Sequence, residues 1–235
     1  MNTSLLLLNL KKLNIELTDA QVQKLSLFSS LLKETNAIMN LTAITDDDGI
    51  AVKHFADSLT LLTSYDFQKG DRVLDLGTGG GFPGVPLLIA RSDIDLTMMD
   101  STGKKLAFVS SALSALSLSG KVCHARAEEK GRDENYREKF DCVVSRAVAA
   151  LNVLSEYCLP FVKVGGKFLA LKGSGAAQEI ENAHAAIEIL GGKIIETKKI
   201  ILNDNIERNI VVIEKVKATP AKYPRQGGKI AKNPL

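Results

Sequence analysis

Five glycines fall within the stretch "RVLDLGTGGGFPGVP", Arg72 to Pro86, directly behind an apolar run that ends in Asp75 and Leu76. No continuous helix or strand tolerates that density, because glycine loses more backbone freedom on folding than any other residue. The pattern predicts a strand that passes through a glycine-rich turn into a helix. There, bare backbone N–H groups meet a ligand with no Cβ in the way.

Downstream the same alternation repeats. Short β-branched or apolar runs, "RVLDL", "DLTMMD", "KVCHA", "FDCVVSRA" and "KFLALKG", are separated by stretches with helical spacing. This predicts an α/β fold with a mostly parallel twisted sheet and crossover helices. The segment "GGKIIETKKIILNDNIERNIVVIEKV" holds two strand-like runs joined at Asn203 to Glu207, predicting an antiparallel pair that closes one edge. Upstream, Thr18 and Gln21 fit a capping box before the helical pattern Val22, Leu25, Phe28, Leu31 and Leu32, so a helix is expected from Asp19 to Ile38. A second is expected behind the acidic Asp46 to Asp48, running to about Thr63. The expected organisation is a helical N-terminal segment over 1–70, an α/β domain over 71–216 and a tail over 217–235.

Composition narrows the setting. A chain of 235 residues with 45% hydrophobic and 24% charged residues has enough apolar surface for one sizeable core. The run Leu5 to Leu8 follows no basic region and is broken by Asn9, Lys11 and Lys12, so neither an export signal nor a membrane span is expected. Cys123, Cys142 and Cys158 are odd in number and form no C-x-x-C pair, which argues against a disulfide framework or a zinc site and suits a reducing cytoplasm. The net charge of +3 is unevenly placed: Lys217, Lys222, Arg225, Lys229 and Lys232 give an acid-free tail of +5, leaving −2 for the remainder. Such a tail is either a solvated terminus or an arm that contacts phosphates.

Two ligand classes use a glycine turn of this kind. As G-x-G-x-x-G, residues Gly79, Gly81 and Gly84 match a dinucleotide fingerprint, with Asp100 near the ~20-residue spacing of a ribose-binding acid. As D-x-G-x-G-x-G, residues Asp75, Gly77, Gly79 and Gly81 match the first motif of class I S-adenosylmethionine methyltransferases. Pro83 and Pro86 remove two N–H donors near the turn that would have to hold a pyrophosphate, which favours the phosphate-free methyl donor. Asp100 could instead open the next helix, and Glu128 of "ARAEE" could be a solvated acid; their shared position at strand ends, where ligands lie in such sheets, favours a site.

The chain resembles the bacterial 16S ribosomal RNA guanine-N7 methyltransferases, once called glucose-inhibited division protein B. The resemblance rests on "NLTAI", "KHFADSL", "DLGTGGGFPGVPL", "ARAEE", "SRAVA" and the ending "YPRQGGKIAKNPL", which departs from the family at Gln226. It implies a Rossmann-like class I domain using S-adenosyl-L-methionine, with 16S ribosomal RNA of the small ribosomal subunit, or of an assembly intermediate, as partner. It also implies cofactor contacts at Gly77, Gly79, Phe82, Ala127, Glu128 and Arg146, with Asp100, Ser101 and Thr102 at the ribose. RNA contacts are expected at Lys172, Lys222, Arg225, Lys229 and Lys232.

Guanine N7 carries a lone pair and no proton, so no general base is expected. Ser145-Arg146-Ala147 replaces the Asn/Asp-Pro-Pro-aromatic motif of amine methylases, and Cys142 falls inside a strand as a core residue rather than a nucleophile. Arg146 suits a cofactor carboxylate, an RNA phosphate or a structural ion pair. His54 and Asp57 sit three apart on the second helix, as a packing pair or on the substrate side. Deleting the tail from Lys217 is expected to spare cofactor affinity and reduce methyl transfer. The rival readings are a methyltransferase for another nucleic acid, a nicotinamide-dependent oxidoreductase and a non-catalytic RNA-binding module. A monomer without a metal is expected.

Overall fold

The inner strands of the sheet carry two apolar faces, and the sheet is accordingly buried on both sides at its centre. A computed structural model describes residues 1–226 and 228–235. The strands are β1 (Arg72–Leu76), β2 (Asp95–Asp100), β3 (Lys121–His124), β4 (Phe140–Arg146), β5 (Val162–Lys172), β6 (Gly192–Leu202) and β7 (Ile206–Lys215). They form one sheet in the order β3-β2-β1-β4-β5-β7-β6. β1 to β5 pair in parallel, while β7 runs antiparallel between β5 and β6. The period of two sorts the side chains: Val73, Cys142, Val144, Leu169 and Val212 face one core, and Leu74, Val143, Phe168, Ala170 and Val211 face the other. The connection from β6 to β7 is shorter than its polar sequence suggests, because Asn203 and Asp204 take positive φ values of 45° and 61°.

The first core lies under the N-terminal helices. α1 (Thr3–Lys12) contains the leucine run, which buries Leu6 and Leu10 against the rest of the segment. α2 (Asp19–Asn36) starts at the capping box of Thr18 and Gln21. It ends before Ile38 because the Asn36 side chain accepts from the N–H groups of Leu41 and Thr42 and turns the chain. The next helical stretch reaches Thr63 but is not a regular α-helix. It passes through α3 (Asp47–Gly49), a π-helical run (Ile50–Ala56), α4 (Asp57–Leu59) and a 3₁₀ turn (Thr60–Thr63). Widened turns of this type are common at functional sites, and this one presents His54 and Asp57 to the sheet. Phe28 of α2 joins Phe55, Phe82 and Phe108 in an aromatic cluster with centroid separations of 5.4–6.1 Å.

The crossover helices complete the layers: α5 (Gly84–Ala90), α6 (Gly103–Ala115), the short α7 (Ala127–Lys130), α8 (Leu151–Cys158) and α9 (Ala176–Ile189). Gly84 allows α5 to sit hard against β1, since a Cβ there would lie 2.6 Å from Asp75 Oδ2 and 2.8 Å from Met98. No helix among the described residues is long and apolar enough to cross a membrane.

The tail departs from the expectation of a loose arm. Tyr223 and Ile230 are buried, and α10 (Lys229–Lys232) ends the chain against α8. Arg137 donates to the carbonyls of Thr219 and Tyr223, and Arg132 to those of Lys222 and Pro224. Arg225 grips the fully buried Glu156 with Nη2 at 2.6 Å and Nε at 2.9 Å. The basic residues left open a solvated terminus or a phosphate-contacting arm; the carbonyls and apolar side chains between them pack the tail onto the domain. Glu156→Ala is expected to cost about 3 kcal/mol by stranding one member of a buried pair. A lower urea midpoint together with faster proteolysis after the tail lysines is the expected result, and an unchanged midpoint would mean the pair is dispensable.

Candidate functional site

The carboxyl ends of β1, β2 and β4 open on a cleft of about 600 Å³, within the range of small-molecule sites. It lies where the strand order reverses between β1 and β4, the usual ligand position in such sheets. Gly77, Gly79, Phe82, Asp100, Ser101, Ala127, Glu128 and Arg146 all line it, along with His54. Thr102 does not line it; its N–H donates to Asp100 Oδ1 at 2.8 Å.

The glycine turn is held from behind. Asp75 is fully buried and accepts from Thr78 Oγ1 at 2.6 Å and from the Gly84 N–H at 2.8 Å, while its Oδ1 has no partner among the described residues. Burial pushes its carboxyl up to about 7, against the opposing pull of those two hydrogen bonds. Gly77 and Gly79 have positive φ values of 76° and 54°. A Cβ on Gly77 would meet Val148 at 2.3 Å, whereas Gly79 faces open space.

The N–H groups at the start of α5 are already committed. Gly84 donates to Asp75, Val85 to the Gly81 carbonyl at 2.8 Å, and Pro86 has no N–H. A pyrophosphate finds no free donor in that turn. A phosphate-free ligand fits better, one that takes bare glycine backbone, the Asp100 carboxylate and a mixed wall of Met99, Ala125 and Ala127. Asp100 already receives the Gly79 N–H at 2.9 Å, which ties the second strand end to the turn.

At the β4 end a buried polar network replaces any free base. Arg146 Nη1 donates to Asp57 Oδ2 at 2.8 Å and to the Lys53 carbonyl at 3.0 Å, and Nη2 lies 3.0 Å from His54 Nδ1. Asp57 also receives Arg208 Nε at 2.9 Å. His54 stacks on Phe82 with centroids 4.3 Å apart, and Arg146 lies over the same ring at 5.2 Å. His54 Nε2 is 2.8 Å from Thr42 Oγ1. Burial, helped by the Arg146 charge, drives the imidazole down to about 3, so it is neutral at physiological pH. Arg146 is thus a structural ion pair and a wall of the cleft at once. The side chains of His54 and Asp57 do not bond to each other; each bonds to Arg146. Cys142 is buried and its thiol is raised well above the ordinary range, as its strand position foretold.

The expected RNA contacts divide. Lys172 is not available to phosphate: it is buried, bonded to Glu179 at 2.7 Å and to the Ala149 carbonyl at 2.6 Å. Arg225 is consumed by Glu156. Lys222, Lys229 and Lys232 are exposed, and Ala231 between the last two lines the cleft. The tail is therefore a wall of the site, and its deletion is expected to damage the cleft itself, contrary to the sequence expectation. Thr42, Lys105, Arg126 and Tyr157 line the cleft without having been singled out. Thr42 stood in the quoted "NLTAI", but its hydroxyl carried no signal of direction; Arg208 had none at all, because only the reversed β7 brings it to Asp57.

The unfolded chain binds a proton at His54 that the native state refuses between about 3 and the ordinary 6.5, so stability falls as pH drops through that window. In His54→Gln this acid-side loss is expected to shrink, as measured by urea denaturation at a series of pH values. An unchanged slope would place the acid sensitivity elsewhere.

The sequence profile of rRNA small subunit methyltransferase G matches residues 21–211. The ribosomal RNA small subunit methyltransferase G of Lactobacillus delbrueckii subsp. bulgaricus is 47% identical over 239 residues, covering 100% of both chains. That of Alkaliphilus oremlandii is 48% identical over 226 residues, covering 95% of this chain and 94% of the relative. Among solved structures, a SAM-dependent O-methyltransferase from Thermotoga maritima superposes with a TM-score of 0.53 at 15% identity, over 79% of this chain and 72% of that one. TrmN from Thermus thermophilus gives 0.53 at 19% identity, over 67% of this chain and 48% of that one. At such identities the structural likeness speaks for the fold alone, that of the class I methyltransferases. Sequence likeness over the full length goes further: the chain belongs to the rRNA small subunit methyltransferase G family.

Proposed function

We propose that the protein transfers the methyl group of S-adenosyl-L-methionine to N7 of a guanine in 16S ribosomal RNA. The observation that carries this reading is the chemistry of the β4 end. There the imidazole of His54 is neutral with both ring nitrogens engaged, Asp57 is held between two arginines, and Cys142 is buried. A β4 end whose His54 and Asp57 are both engaged suits an acceptor that holds no proton, and guanine N7 is one. The bound cofactor supplies an electrophilic methyl group on a sulfonium centre. What remains for the chain is to orient, and orientation of two reactants is worth several kcal/mol of barrier.

In this reading Asp100 and Ser101, which line the cleft, receive the ribose hydroxyls, with Thr102 acting through its backbone bond to Asp100. Ala127 and Glu128 take the adenine side, and Gly77, Gly79 and Phe82 leave room for the methionine end, with Arg146 as its outer wall. Residues 1–70 and the tail 217–235 then serve as the RNA-facing additions to the methyltransferase domain 71–216. The preferred substrate is 16S RNA within the small subunit or an assembly intermediate, met by a monomer in the cytoplasm.

Incubating undermethylated small subunits with labelled S-adenosylmethionine is expected to give label at one guanine and strand cleavage specific for 7-methylguanine. Label without such cleavage would sink the N7 assignment. Single-turnover rates should show no basic limb that one substitution removes. Replacing Lys229 and Lys232 together by Ala is expected to lower the salt dependence of RNA binding by a slope of about 2, with cofactor affinity retained; an unchanged slope would remove both from the interface.

A further inference from the structure

N7 methylation poses a recognition problem on one edge of the base. N7 must stay open to the methyl group, so an enzyme reading that edge distinguishes guanine from adenine at position 6. Guanine offers the O6 acceptor there and adenine an N6 amino donor. A group restricted to donating accepts the first and is left facing a donor with the second. A threonine hydroxyl is ordinarily unrestricted, with one proton and two lone pairs.

At Thr42 the surrounding bonds remove that freedom. A guanidinium has no acceptor, so the 3.0 Å contact between Arg146 Nη2 and His54 Nδ1 makes Nδ1 the accepting nitrogen. A neutral imidazole then carries its proton on Nε2, and Nε2 donates to Thr42 Oγ1 at 2.8 Å. The Ile44 N–H donates to the same oxygen at 3.0 Å. Both lone pairs are filled, and the hydroxyl proton is the one valence left. Thr42 lines the cleft together with His54, Phe82 and Arg146, and its bond to His54 places it at the β4 end. Its backbone N–H is held by Asn36 Oδ1 at 2.9 Å, which fixes the loop.

We propose that Thr42 is the specificity-determining residue that selects guanine, donating its hydroxyl proton to O6 while N7 faces the methyl group. Arg146 and His54 are the positioning residues that set its direction. This assignment rests on the guanine-N7 reading above.

The test uses the full-length protein and small subunits whose target nucleotide is guanine or 2-aminopurine, which keeps N7 and the 2-amino group but lacks O6. With the wild type, loss of O6 is expected to lower kcat/KM by about 10- to 100-fold. Thr42→Val should lose a similar factor on guanine and be indifferent to the presence of O6. Thr42→Ser should recover most of the guanine rate, which separates a hydroxyl effect from misfolding. The S-adenosylmethionine dissociation constant, measured by calorimetry, should not move in either variant. If the Thr42→Val and 2-aminopurine losses multiply, or if the cofactor dissociation constant rises by the factor lost in kcat/KM, the hydroxyl serves something other than O6 and the assignment is overturned. A wild type that places no methyl on guanine N7 sinks the functional reading first, and the O6 contact with it.

Discussion

Arg146 leaves the end of β4 and places its guanidinium on three acceptors of the irregular N-terminal helix: the Lys53 carbonyl, His54 Nδ1 and Asp57 Oδ2. Removing two charges from water is costly, and such a pair persists only where hydrogen bonds satisfy the rest of each group. Here Arg208 supplies the second partner of Asp57 from the reversed strand β7. One buried carboxylate thereby joins the N-terminal helices, the parallel sheet and its antiparallel addition. The helix widens into a π-helical run that contains Lys53 and His54 and ends directly before Asp57. Regular α-helical winding would turn His54 and Asp57 differently toward the sheet.

The same network governs the chemistry. It keeps His54 neutral, stacks it on Phe82 and leaves the mouth of β4 without a free proton acceptor. On the other side of the cleft, Asp75 holds the glycine turn by its inner face, so that the turn's remaining edge is bare backbone. The two halves of the site are built on opposite principles. One is rigid because Arg146, His54 and Asp57 hold one another by hydrogen bonds; the other is open because the glycines of its turn carry no side chain.

Much of this was legible in the sequence. Alternating strand and helix patterns announced the sheet, the polar break at Asn203 announced the hairpin, and the prolines beside Gly84 argued against a phosphate cradle. The structure supplied the fuller reason for that last point, since the Gly84 and Val85 N–H groups are also committed. Positive charge misled at two of the positions expected to contact RNA. Lys172 and Arg225 look like phosphate contacts in one dimension, yet each lies against a carboxylate supplied by a helix, Glu179 of the adjoining α9 and Glu156 of the distant α8. The basic tail packs because Tyr223 and Ile230 have apolar surface to bury, a drive that a charge count does not register.

The sequence by itself determined the sheet, the glycine turn, the capping of α2 and membership of a methyltransferase family, because these follow from local backbone preferences and from motifs contiguous in the chain. Only the tertiary structure decided which polar groups are free. Whether a lysine or arginine meets solvent or a carboxylate, and whether a threonine hydroxyl can accept or only donate, depends on how the elements pack: Glu179 reaches Lys172 across a strand-to-helix turn, Glu156 reaches Arg225 across 69 residues, and Thr42 meets His54 across 12. Such hydrogen bonds leave no periodic trace in the chain.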